Sequence, residues 1–185
     1  MGLRLNLGSG QHPLEGYINV DKFGTPDVHC DLEAFPWPWD TGSVDEVMLS
    51  HVLEHLGQSP DAFIGVMKEL YRVCRGGARV HIRVPHPRHD FYLTDPTHVR
   101  PILPATFTLF SRRLNEEWKR TAASNTPLAL YHGIDFEIED SNLLLDEPYR
   151  SQLKQGRITQ AEAQALVEKY NNVASEVRIT LRVVK

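Results

Sequence analysis

The chain has 185 residues, 41% of them hydrophobic and 24% charged, and 20 basic against 24 acidic side chains leave a net charge of −4. That size suits one domain that buries most of its apolar surface without disulfides or structural metal. The composition excludes disorder, collagen-like repeats and coiled coil, and the acidic balance argues against a general nucleic-acid or anionic-membrane binder.

Leu3, Leu5 and Leu7 alternate with Arg4 and Asn6, so residues 3–7 read as a strand. It runs straight into Gly8-Ser9-Gly10. This start has no apolar signal core, and no stretch approaches the roughly 18 apolar residues of a membrane helix. Asn6 stands where a myristoylated Gly2 would need Ser or Thr. A cytoplasmic protein is expected. Residues 17–20 form a second strand ending at Asp21, and residues 28–30 a weaker third ending at Asp31. Residues 34–42 (AFPWPWDTG) are a Pro- and Trp-rich loop whose Trp37 and Trp39 suit packing over the sheet edge. A fourth strand, residues 44–49, ends at Ser50-His51. Cys30 and Cys74 have no paired spacing and read as buried thiols.

The clearest helix covers residues 60–75. Ser59 is a good N-cap, Pro60 fits the first helical position, and Phe63, Val66, Met67, Leu70 and Cys74 make one apolar stripe. Gly76-Gly77 is expected to stop it before a fifth strand, in which Val80, Ile82 and Val84 face one way and Arg79, His81 and Arg83 the other. Residues 85–104 lack periodicity and read as a long loop. Phe107, Phe110, Leu114 and Trp118 recur at helical spacing, and Phe136 and Ile138 alternate with acidic residues as in a strand. Thr159 with Glu162 predicts a capping box for a helix over 160–172, and the chain closes on a strand over 177–184.

A strand, a Gly-x-Gly turn and a second strand ending in Asp form a nucleotide-binding layout. Glycine lets a ligand approach the backbone, and the carboxylate accepts from ribose hydroxyls. The blocks LNLGSG, INVD, CDLEAFPWPWDTGSVDEVMLSHVLEHL and FIGVMKELYRVCRGGARVHIRVPHP follow in order between residues 5 and 87, and the likeness reaches back to residue 3. Together they resemble the class I S-adenosylmethionine-dependent methyltransferases, above all their small type-11 group. The resemblance implies a Rossmann-like α/β fold, with a mostly parallel sheet and an antiparallel last strand. One domain would cover residues 1–185, with the cofactor half at 1–87 and a substrate loop and the rest of the sheet at 88–185.

The resemblance further implies that Leu7, Gly8, Ser9, Gly10 and Gln11 wrap the cofactor S-adenosyl-L-methionine. Asp21 would hold its ribose, Asp31 and Leu32 would meet the adenine, and Ser50 and His51 would line the floor beside the reactive methyl. Asn6 replaces an acidic residue of that pattern. Only six residues separate Gly10 from Tyr17, too few for the helix of a normal parallel crossover. The first crossover helix is therefore expected to be missing, and so is the leading helix, since the sequence opens on the first strand. One sheet face would then carry Arg4, Arg79, Arg83, Arg178 and Arg182, paired in part by Glu137 and Glu139. A second copy or another partner could cover that face.

The loop after the fifth strand is the substrate-site candidate, because ligands bind beyond the carboxyl ends of such strands. His86, His89 and His98 are candidate general bases, and Asp95 and Arg100 candidate substrate contacts. The same residues also read as turn caps of a Pro-rich surface loop. His51-Val52-Leu53-Glu54-His55 matches the H-x-x-E-H pattern of some zinc hydrolases, but its context after a strand is poor and no metal is expected. A dinucleotide oxidoreductase is disfavoured because Pro13 stands where the third glycine belongs. Methyl transfer to a sugar or other metabolite is the expected function. The alternative is a degenerate module that binds without turnover.

Overall fold

The computed structural model describes residues 2–185. Seven strands form one sheet in the order β3-β2-β1-β4-β5-β7-β6. β1 (Leu3–Leu7), β2 (Ile18–Asp21), β3 (Val28–His29), β4 (Val44–Ser50) and β5 (Cys74–Pro85) are parallel neighbours. β7 (Ala174–Val183) runs antiparallel to both β5 and β6 (Phe136–Leu145). This is the expected Rossmann-like sheet with its reversed last strand. Among the described residues, no helix is long and apolar enough to cross a membrane.

The helix α1 (Pro60–Val73) forms for the reasons read from the sequence. Ser59 Oγ accepts the Ala62 amide at 3.2 Å, and Phe63, Val66, Met67, Leu70 and Val73 are buried against the sheet. Glu69 is also buried. One of its oxygens accepts the Trp37 amide at 2.6 Å, and both accept from Arg72. Arg72 in turn donates to the carbonyls of Trp37 and Trp39. The Trp-rich loop is thereby clamped to α1, with both indoles in the core.

The helix ends at Val73, before the glycines, because Cys74 turns extended and enters β5 at once. Gly76-Gly77 lies inside β5, where the register with β4 shifts and Gly77 takes φ +83°. The pair forms an irregularity in the strand, not a helix stop. Residues 85–104 hold the short α2 (Asp90–Leu93). The run Phe107 to Trp118 is two helices, α3 (Pro104–Thr108) and α4 (Arg112–Thr121), split where Ser111 caps the second. β6 is longer than its alternation suggested. The short helices α5 (Leu128–His132) and α6 (Tyr149–Lys154) had no clear periodicity to announce them. The Thr159–Glu162 capping box opens α7 (Gln160–Lys169) as expected.

The two sheet faces differ sharply. Leu5, Leu7, Val47, Leu49, Val80, Ile82, Val177, Ile179, Leu181 and Val183 form the buried face, which Phe63, Phe107 and Phe110 complete. On the other face, Arg79, Arg83, Arg178 and Arg182 are exposed. The missing crossover helix explains this. Right-handed connections moving in opposite directions along a sheet fall on opposite faces. The step from β4 to β5 carries α1, while the steps from β1 to β2 and β3 move the other way and contain no helix. The face they would have covered stays open and is held by polar pairs. Arg4 meets Glu46 at 3.1 Å and Tyr17 at 2.8 Å, Tyr17 donates to Glu46 at 2.6 Å, and Arg79 grips both oxygens of Glu139.

Candidate functional site

The strand order reverses direction between β1 and β4, and there the loops beyond the carboxyl ends open a crevice. A cavity of 340 Å3 lies in it, lined by Gly8, Gly10, Asp21, Asp31, Leu32 and His51 from the expected set. Lys22, Phe23, Cys30, Glu33, Val52, His55 and Leu56 complete the lining. Val52 and His55 belong to the 51–55 motif already noted, whereas Lys22, Phe23 and Glu33 were not singled out, because only folding brings the segments after β2, β3 and β4 to one place.

The turn after β1 is fixed by its backbone. The Gly8 and Ser9 amides donate to the Val20 carbonyl at 2.8 and 3.0 Å, joining the turn to β2. Gly8 has φ +70°, and a Cβ there would stand 2.4 Å from Val52 Cγ2. Gly10 has φ +50° with open space around its α-carbon. Asp21 accepts the Gly10 amide at one oxygen and the Phe23 amide at the other, each at 2.9 Å. The carboxylate thus shapes the loop and keeps further lone pairs for a ligand. Asp31 accepts the Glu33 amide at 3.0 Å.

The remaining expected cofactor residues stand nearby without lining the cavity. Leu7 and Ser9 are buried, Gln11 is exposed in the turn, and Ser50 is half-buried opposite Arg83. Asn6 turns away to the open face, donating to the His12 carbonyl at 3.2 Å and Asn19 at 2.9 Å. It holds the short 8–17 connection in place. Residue His51 takes φ 56°, an uncommon conformation for a non-glycine residue, where the chain leaves β4.

The histidines of the loop after β5 are not brought together. His86 is buried and lines a separate 560 Å3 cavity between the loop, β6 and α7. Its Nδ1 accepts the Arg88 amide at 3.2 Å. Burial pushes its pKa down, and Arg88 and His89 add to the effect. His89 Nδ1 accepts the Phe91 amide, capping α2, and its Nε2 meets Asp146 at 3.0 Å. Both of these rings therefore have their one neutral-state lone pair engaged. His98 differs. Its Nδ1 donates to the Tyr92 carbonyl at 2.9 Å, and its ring lies 4.6 Å from that of His55, which lines the 340 Å3 cavity.

Asp95 Oδ1 accepts both the amide and the hydroxyl of Thr97, and these bonds hold its pKa below the usual range. Arg100 donates to the Gly57 carbonyl at 2.7 Å and lies over the Phe63 ring. The contacts seen for both residues anchor the loop. The 51–55 motif places Glu54, not a histidine, in the interior, 1% exposed.

No protein-family model matches the chain, and no curated protein is detectably similar to it in sequence. Solved structures are similar. A SAM-dependent methyltransferase from Archaeoglobus fulgidus superposes at a TM-score of 0.57 with 18% identity, covering 98% of this chain and 86% of that one. The Burkholderia thailandensis 1,6-didemethyltoxoflavin-N1-methyltransferase, solved with bound 1,6-didemethyltoxoflavin and S-adenosylhomocysteine, gives 0.52 and 13%, covering 100% and 72%. The [4+2]-cyclase SpnF gives 0.55 and 15%, covering 99% and 76%. The chain has the class I methyltransferase fold.

Proposed function

We propose that this protein binds S-adenosylmethionine in the crevice beyond β1, β2 and β4 and transfers its methyl group to a small-molecule acceptor. The observation that carries this reading is the joined Gly8–Gly10 turn and Asp21 carboxylate at the switch point of a methyltransferase-type sheet. The residues present fit the cofactor. The cavity of 340 Å3 falls in the range of about 300–1,000 Å3 usual for ligand sites. The open space at Gly10 admits a ligand close to the backbone. Asp21 has acceptor capacity left for ribose hydroxyls, Asp31 for the adenine amino group, and Leu32, Val52 and Leu56 offer apolar walls.

When bound, the cofactor supplies a methyl already activated on a sulfonium. The chain's own task is to orient the two reactants in line, since alignment removes much of the entropic barrier. Leu7, Ser9, Gln11, Ser50 and His51 support the cofactor turn and the floor of the crevice on this reading. On the acceptor side, His86 and His89 have their lone pairs engaged, so His98 is the histidine left to act on the acceptor, with Asp95 and Arg100 fixing its loop. The small-molecule class rests on the concave, partly apolar 560 Å3 cavity beside the same loop, lined by Leu103, Leu143, Leu145 and Val167.

Binding without turnover is the second reading. Asn6 in place of the acidic residue of the resembled pattern favours it, since its amide is spent on the His12 carbonyl and Asn19.

Calorimetry with S-adenosylmethionine and S-adenosylhomocysteine tests the assignment. Both should bind at one site per chain. Asp21→Ala should raise Kd about 10- to 100-fold, the loss expected for hydrogen bonds to a charged group. No heat with either compound would overturn the cofactor assignment. Binding without methylation of any component of a metabolite extract would select the second reading.

A further inference from the structure

Glu54 is a carboxylate in the interior whose two oxygens have no hydrogen-bond partner among the described residues. Such a group costs several kcal/mol unless something compensates it. Its nearest charge partner is His51, whose Nδ1 stands 3.6 Å from Glu54 Oε1, beyond hydrogen-bond reach. The other nitrogen of His51 is committed to Glu176 at 3.0 Å. Glu54 therefore faces its neighbours as an unsatisfied donor of electron pairs.

Those neighbours are His55 and His98. One ligand atom from each of Glu54, His55 and His98 lies within 4.8 Å of the others. Their hydrogen bonds decide where each ring keeps its lone pair. Thr97 donates its hydroxyl hydrogen to Asp95 Oδ1 at 2.6 Å, so its oxygen can only accept from His55 Nδ1, 2.9 Å away. His98 Nδ1 faces the Tyr92 carbonyl at 2.9 Å and must donate to it. In both rings Nε2 is left as the lone-pair nitrogen. A histidine that donates one ring N–H to a carbonyl or hydroxyl while presenting the other nitrogen is oriented as metal-binding histidines are.

We propose that Glu54, His55 and His98 form a three-ligand site for a zinc-like divalent transition-metal ion at the wall of the cofactor crevice. Two imidazoles and one carboxylate are a donor set that holds such ions with a fourth position open. The site is not the His51–His55 pair suggested by H-x-x-E-H. His51 is turned to Glu176, and the second histidine comes from 43 residues further on in the chain, counting from His55 to His98. Donors around a tetrahedral ion stand about 3.4 Å apart, from bond lengths near 2.1 Å, so loading the site draws the three donors, now within 4.8 Å of one another, closer together. His55 also lines the cofactor crevice. On the methyl-transfer reading, the loaded site makes His98 act on the acceptor through the metal rather than as a free base, with an acceptor hydroxyl or carboxylate oxygen in the open position.

The test uses full-length, tag-free protein stripped with chelator and titrated with Co2+ in the absence of S-adenosylmethionine. One equivalent should produce visible ligand-field bands, and Zn2+ should displace it. His98→Ala and Glu54→Gln should each weaken Co2+ affinity at least about 10- to 100-fold, the loss seen when even an outer partner of a ligand is removed. His132→Ala, remote in sequence from the site, should leave it unchanged. If a variant fails to fold, the wild-type melting temperature decides: Zn2+ should raise it and chelator reverse the rise. Absence of both the bands and the thermal shift would overturn the proposal, as would undiminished binding in folded His98→Ala. Because no cofactor is present, this result is independent of the cofactor assignment.

Discussion

Gly8 illustrates how one position can be constrained twice. Its φ of +70° lies in the left-handed region, and a Cβ would stand 2.4 Å from the Val52 side chain. Gly8→Ala is expected to destabilise the protein by about 1–3 kcal/mol through backbone strain and displacement of Val52. Denaturant melts would measure this. Because Val52 lines the crevice, the variant should also bind S-adenosylmethionine more weakly. Stability and affinity both at the wild-type level would refute the role given to this turn.

At the scale of elements, the clamp between α1 and the Trp-rich loop responds to pH. The Arg72 guanidinium holds the Glu69 carboxyl below its ordinary range, against the opposing effect of burial, with the Trp37 amide assisting. A carboxylate with a lowered folded-state pKa binds its proton less tightly when folded than unfolded. Its stabilisation is full above the unfolded value of 4.5 and is lost as pH falls through the lower folded value. Acidification below about pH 4.5 should therefore loosen the 34–42 loop, seen as a shift in Trp37 and Trp39 fluorescence. Glu69→Gln should cost about 1–3 kcal/mol at neutral pH and flatten that acid limb. An unchanged acid limb in the variant would assign the transition to another carboxylate.

At the scale of the whole molecule, the sheet has one face for stability and one for water. Exposed ion pairs contribute little, so Arg83→Ser or Arg182→Ser on the open face should change stability by no more than about 0.5 kcal/mol. Phe107→Ala on the covered face should cost about 3–5 kcal/mol. Chemical denaturation of the three variants checks the contrast. A large loss at either arginine would mean that the open face contributes to the fold beyond hydration. The face is cross-linked by its own polar pairs, as Arg4, Tyr17 and Glu46 illustrate.

Local rules alone made much of this legible. The period-2 strands of Leu3–Leu7 and Val80–Val84, the Ser59 and Thr159 caps and the glycines at 8 and 10 act through near neighbours. The six-residue gap after Gly10 already implied an open face, because chain length limits what a crossover can contain. The sequence could not place the stop of α1, since Cys74 leaves the helix to pair with Val44 of a distant strand. Nor could it divide Phe107–Trp118, where the cap at Ser111 interrupts an unbroken apolar spacing. The roles of the histidines were the least legible. A ring's free nitrogen depends on what the other nitrogen bonds, and those partners are Asp146 for His89, Thr97 for His55 and the Tyr92 carbonyl for His98. Periodicity and spacing thus determined most of the elements and the Gly8–Gly10 turn that follows the first strand. Only tertiary structure decided which side chains keep a free lone pair and where they meet, because those contacts join segments that no local pattern relates.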